Sequence, residues 1–245
     1  MGDVADGRGV ADDQAMAARL AAVHARIEAA CRRTGRAPGS VRLMAVSKTH
    51  PAEVLREAYH AGHRLFGENK VQEAGDKAER LRDLPDLRWA FVGHLQTNKV
   101  KDVARFADEF HALDSLRVAQ ALDRKLQELG RGLDVYVQVN SSGEHSKYGL
   151  PADEVEQFVH EIRVCSALRV RGLMTLAAYS SEQSVVQGCF ERMQALQTRL
   201  RDSGAPGSFD ELSMGMSGDF ELAIAHGATT VRVGEAVFGP RNVKN

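Results

Sequence analysis

Two hydrophobic rhythms alternate along the chain. From Val41 onward, short runs of β-branched and apolar residues take turns with longer stretches whose apolar positions recur every three or four residues. The first rhythm is that of buried strands and the second that of amphipathic helices. The strand-like runs are Val41–Lys48, Arg64–Asn69, Arg88–His94, Glu109–Asp114, Asp134–Asn140, Leu168–Leu176, Glu211–Ser217 and Thr229–Phe238. Helical stretches include Pro51–Ala61, Thr97–Phe106, Ser115–Leu129, Ala152–Arg163 and Ser184–Ser203, with Pro51 near an N-terminus and Gly62, Gly130 and Gly204 near C-termini.

Strict βα alternation implies a parallel sheet, and these strand runs are as many as close a (β/α)₈ TIM barrel, a fold that 245 residues suffice to build. A doubly wound open sheet is the competing topology. Its glycine-rich first turn is absent, because the first strand here ends Ser47-Lys48-Thr49-His50-Pro51. Residues 1–11 are polar and rich in Gly and Asp, so they read as a flexible tail. An Ala-rich amphipathic helix over about Asp12 to Arg33 then opens a single domain over 12–245.

Charge narrows the choice of partner. The 32 basic and 33 acidic residues leave a net charge of −1 and are interspersed, which gives no field for nucleic acid or an anionic membrane. The three cysteines, Cys31, Cys165 and Cys189, are odd in number and widely spaced, which suits a reducing compartment better than a disulfide framework or structural zinc. Met1 to Gly9 offers neither a basic nor an apolar signal region, and no stretch is apolar enough to span a bilayer. The expectation is a cytoplasmic protein, and a monomer because no apolar stripe is surplus to barrel packing.

In a TIM barrel the active site gathers at the C-terminal ends of the strands. Lys48 ends the first run and shares a face with Met44 and Val46. If that face lines the barrel, an amine stands atop an apolar interior, ready to condense with an aldehyde. The competing reading is a strand-end lysine that snorkels to solvent. The segment Ser213-Met214-Gly215-Met216-Ser217-Gly218-Asp219 leads from a strand into a short helix, with Ser217 or Gly218 as the expected N-cap, and could hold an anion or simply cap the helix. Arg232 and Gly234 share one face of the eighth run, where barrels commonly hold phosphate, although a strand arginine also serves as a plain ion pair. No H-x-H or H-E-x-x-H spacing occurs, so no metal is expected even with His94 at a strand end. Glu68 is expected to pair with Lys70 or Lys99.

Several segments together carry a resemblance. They are Ala45–Lys48, Phe66–Asn69 with Val71-Gln72-Glu73, Gly93–Lys99, Val139-Asn140 with Lys147-Tyr148-Gly149, Arg171–Met174, Leu212–Asp219, and Val231–Gly234 through Phe238-Gly239-Pro240-Arg241. In these the chain closely resembles the YggS/PROSC family of pyridoxal phosphate homeostasis proteins over nearly its whole length. The resemblance implies a barrel like the N-terminal domain of alanine racemase and other fold-type III enzymes, with pyridoxal 5′-phosphate (PLP) joined to Lys48 as an internal aldimine. It further implies that Ser217, Gly218 and Gly234 hold the phosphate, that Arg232 faces the pyridine nitrogen, and that Asn69, Asn140 and Met214 line the site. The family often has Thr or Ser where this chain has Glu235, so only the Glu235 amide is expected to serve the phosphate.

Pyridoxal phosphate supplies an electron sink, and an arginine on its ring nitrogen weakens that sink. Racemisation needs a second base, which alanine racemases take from a further C-terminal domain, and the sequence ends soon after its eighth strand run. The expectation is a carrier without catalytic residues that buffers the cofactor and passes it transiently to apoenzymes. The alternatives are a racemase-like PLP enzyme and a cofactor-free Schiff-base aldolase.

Overall fold

The computed structural model describes residues 6–144 and 146–239, with side chains from Gln14 onward. Helix α1 (Asp6–Arg33) precedes β1 (Arg42–Val46), α2 (Ala52–His60), β2 (Leu65–Glu68), α3 (Val71–Arg80) and β3 (Arg88–Phe91). A 3-10 turn over Thr97–Lys99 leads into α4 (Val100–Phe106), followed by β4 (Glu109–Leu113), α5 (Leu116–Glu128), β5 (Leu133–Gln138) and α6 (Val155–Ile162). Then come β6 (Leu168–Met174), α7 (Gln183–Asp202), β7 (Glu211–Ser213), α8 (Phe220–Ala225), β8 (Thr230–Val233) and α9 (Glu235–Phe238). The eight strands form one closed barrel in chain order, and β8 pairs parallel with β1 through Arg42↔Thr230 to Ala45↔Val233.

Strand parity sorts side chains between two cores. Leu43, Ala45, Phe66, Phe91 and Val231 face outward into the apolar layer between sheet and helices. Met44, Leu65 and Ala90 form a separate small cluster inside the barrel, with Val92 against it. Below that plug the interior is polar, where an apolar one was expected. Arg42 reaches Glu109 at 2.8 Å, Tyr136 at 2.8 Å, Glu211 at 2.7 Å and Thr230 at 3.0 Å, linking five strands. Burial acts to raise the Glu109 pKa, but the His111 hydrogen bond and the Arg42 charge prevail and hold it at about 2.

Helix α1 buries Met16, Leu20, Val23, Ile27, Ala30 and Cys31, a stripe at steps of three and four, against α2, α8 and α9. It begins at Asp6, earlier than expected. Of the anticipated tail over 1–11, residues 1–5 lie outside the described residues, as do 240–245 of the anticipated domain. The largest departure is at the eighth strand, which stops at Val233. The apolar Ala236-Val237-Phe238 run that seemed to extend it is a helical turn, which buries Val237 and Phe238 and accepts a 2.7 Å bond from Arg19 at the Val237 carbonyl. The third and seventh strands likewise end early, at Phe91 and Ser213.

Candidate functional site at the barrel mouth

Met44 and Val46 face inward from β1, and Lys48, in the turn just beyond it, lines a cavity of about 430 Å³ at the C-terminal end of the barrel. Asn69, Ser217, Gly218, Arg232, Gly234 and Glu235 line the same cavity, with Leu176, Tyr179 and Met216 as an exposed apolar rim. Lys48 is half-buried, and its ammonium has no partner among the described residues.

Opposite it stand backbone donors. Met214 to Asp219 forms a turn in which Asp219 Oδ1 accepts the Met216 amide at 2.6 Å. Asp219, where Ser217 or Gly218 was expected, is the N-cap of α8. The Ser217 and Gly218 amides, in the turn before it, have no acceptor among the described residues. Glu235 opens α9, where helix geometry leaves its amide without an intrahelical acceptor. A Cβ on Gly234 would lie 3.0 Å from the Val46 carbonyl oxygen, so this close approach of β8 to β1 suits glycine.

Arg232 is almost fully buried. Its Nη1 donates to Ser213 O at 2.6 Å and Ser213 Oγ at 2.9 Å, and its Nη2 donates to Thr175 O at 2.6 Å. Desolvation lowers its pKa to about 10, so the guanidinium stays charged at neutral pH. The rest of this chain has fixed polarity. Ser213 Oγ lies 2.9 Å from His111 Nδ1, and His111 Nε2 lies 2.9 Å from Glu109 Oε2. Carboxylate only accepts, so Nε2–H donates to Glu109, and a neutral ring then takes the Ser213 hydroxyl proton at Nδ1. That is the neutral histidine, in keeping with the downward shift that full burial imposes on His111.

A second network lies behind Lys48. Lys77 Nζ donates to Ser47 O at 2.8 Å, Glu68 Oε1 at 2.6 Å and Glu73 Oε1 at 2.7 Å. Glu73 Oε1 also accepts the Thr49 amide at 2.6 Å. Thr49 has φ +70°, a left-handed conformation that costs a non-glycine residue about 1–3 kcal/mol. The partner of Glu68 is thus Lys77, not Lys70 or Lys99. Sequence reading missed this pair because its cation lies on α3, a helix read only as part of a motif.

Two residues expected to line the site stand elsewhere. Asn140 spends its side chain on its own loop, donating to Glu144 O at 2.9 Å and accepting the Gly143 amide at 3.1 Å. Met214 is fully buried in the outer layer, because it follows Ser213, which faces inward to Arg232 and His111, and strand alternation turns it toward the helices. His94 stacks on Tyr148 with centroids 4.1 Å apart and is not part of the cavity lining. Among the described residues no group of His, Cys, Asp or Glu is arranged to hold a metal, and no helix is long and apolar enough to cross a membrane.

Known proteins share this arrangement of sequence and fold. The family described as alanine racemase, N-terminal domain, matches residues 18–242. A pyridoxal phosphate homeostasis protein of Escherichia coli is 42% identical over 234 residues, covering 93% of this chain and 97% of its own length. One from Pseudomonas aeruginosa is 41% identical over 227 residues, covering 93% and 96%. PipY of Synechococcus elongatus, solved with PLP bound, is 38% identical with a TM-score of 0.81 and covers 91% of this chain and 100% of its own. The chain therefore belongs to the alanine racemase N-terminal-domain family, among its pyridoxal phosphate homeostasis proteins.

Proposed function

We propose that this protein holds PLP in the mouth cavity through a covalent bond from Lys48 Nζ, buffers it in the cytoplasm and delivers it to apoenzymes without substantial turnover. The observation that carries the proposal is an unpartnered, inward-facing amine across one cavity from two loops whose Ser217, Gly218 and Glu235 amides have no acceptor among the described residues. The relatives bear homeostasis names, and PipY binds PLP in its solved structure.

The cavity residues fit the cofactor. Ser217, Gly218, Gly234 and the Glu235 amide would hold the phosphate. Asn69 has a buried Oδ1 without a partner, which a ligand donor would satisfy. Arg232 would face the ring nitrogen while its fork stays on Ser213 and Thr175. When bound, the cofactor supplies an aldehyde for Lys48 and an electron-withdrawing ring. Arg232 keeps its proton near neutral pH and can only donate, so it favours an unprotonated ring nitrogen and restrains carbanion chemistry. Asn140 and Met214 have no direct part in this reading.

Wild type and Lys48→Ala are compared by absorbance, borohydride reduction and peptide mass mapping. A visible band that is absent from the variant and maps to Lys48 is expected. A colourless wild type after incubation with PLP would overturn the cofactor assignment and favour the cofactor-free aldolase. Rapid racemisation of a simple amino acid by the loaded protein would replace the carrier with the racemase-like enzyme.

A further inference from the structure

The β1 ladder ends at Val46, and only the Ser47 amide, which donates to Gly67 O at 3.0 Å, carries sheet bonding further. Beyond it the Ser47 carbonyl accepts the His50 amide at 3.1 Å in a turn, and side chains of α3 supply the remaining bonds. Lys77 holds the carbonyl before Lys48 and Glu73 holds the amide after it, so the two peptides flanking the lysine are fixed from the outer face of the barrel. An ion pair that served only to fill the space between β2 and α3 would have no need of those backbone atoms. Glu68 and Ser47 complete the cluster, with Ser47 Oγ donating to Glu68 Oε1 at 2.6 Å.

We propose that Glu73 and Lys77 are positioning residues that clamp the Ser47–Thr49 backbone, hold Thr49 in its left-handed conformation and thereby keep Lys48 Nζ aimed into the cavity. The inference rests on the reading of Lys48 as the cofactor lysine. Release of the clamp would let Thr49 relax and withdraw the amine, so α3 becomes the element that sets how firmly the cofactor is held.

The test is a double-mutant cycle of Glu73→Met and Thr49→Gly in the full-length protein. Glu73 and Thr49 both reach the surface, so neither change opens the core. PLP affinity is titrated by absorbance, Lys48 labelling is read after borohydride reduction, and Thr49 amide exchange is followed in the ligand-free protein. Glu73→Met alone is expected to weaken affinity about tenfold, equivalent to about 1.4 kcal/mol, and to speed Thr49 exchange. When Thr49→Gly is also present, the loss from Glu73→Met is expected to shrink to about twofold or less, because glycine adopts a positive φ without help. A merely structural Glu73 would show no such rescue. Wild-type affinity in Glu73→Met, or a loss that Thr49→Gly leaves intact, overturns the clamp while labelling at Lys48 stands. A wild type that is not labelled at Lys48 overturns the cofactor reading and the clamp's purpose with it.

Discussion

Arg232 donates three hydrogen bonds to Ser213 and Thr175 from a position that is 4% exposed. Arg232→Leu would leave the Thr175 carbonyl and the Ser213 hydroxyl without this donor, the Ser213 carbonyl keeping the Thr175 amide at 3.2 Å, while relieving the desolvation of a cation. The unmet acceptors should dominate, and the unfolding free energy is expected to fall by about 2 kcal/mol, read from urea midpoints. An unchanged midpoint would show that solvent in the cavity already serves those acceptors. Arg232 and Lys48 were legible as residues because a strand's period of two puts each on a chosen face, and strand ends in a barrel converge. Glu73 and Lys77 had no such marker. They act on Lys48 from a neighbouring helix, and sequence spacing does not say which backbone that helix's charges reach. Asn140 stands at a strand end as well, but its own loop claims its amide, a competition that sequence spacing does not reveal.

At the scale of elements, β2 and β3 meet closely above the barrel rim. A Cβ on Gly93 would lie 2.2 Å from the Asn69 carbonyl oxygen and 2.9 Å from its Cα, so Gly93→Ala must displace the segment that carries Asn69 into the cavity. The variant is expected to lose about tenfold in PLP affinity by absorbance titration. Wild-type affinity would mean that Asn69 contributes little to the site. Helix α1 tests a different contact, since Ile27 is 1% exposed between the barrel helices. Ile27→Ala is expected to cost about 2–5 kcal/mol in chemical denaturation, and a loss well below that range would mean that α1 adds little to global stability. Strand order and helix existence were readable because their periodicities are long and clean. Strand ends were less so. The Ala236-Val237-Phe238 run is apolar in either geometry, and it packs as a helical turn against α1, a tertiary contact that local pattern does not contain.

Barrel closure gathers titratable groups from distant strands, so acid stability belongs to the whole molecule. Glu109 has its pKa pushed down from 4.5 to about 2 despite its burial. Its contribution is present above pH 4.5 and is lost as pH falls from there toward 2. His63 acts at higher pH. Desolvation beside Phe66 lowers it from 6.5 to about 4, with its Nε2 held 2.7 Å from the Leu65 carbonyl oxygen. Between those values the unfolded chain binds a proton that the folded chain does not, so stability rises with pH through this window and is complete above 6.5. The full shift corresponds to about 3 kcal/mol, and His111, whose pKa burial also lowers, adds loss in the same direction below 6.5. Unfolding free energy measured by urea at successive pH values should therefore begin to fall below pH 6.5, well before carboxylates protonate. His63→Gln is expected to flatten the slope between pH 6.5 and 4 whatever it does to absolute stability, whereas Glu109→Gln should flatten the slope below pH 4.5 and also alter it above that value through His111, whose pKa the Glu109 charge raises. If the upper slope survives His63→Gln unchanged, the proton uptake belongs to His111 and to the polar interior, and acid would then loosen the Glu109–His111–Ser213 chain that supports Arg232.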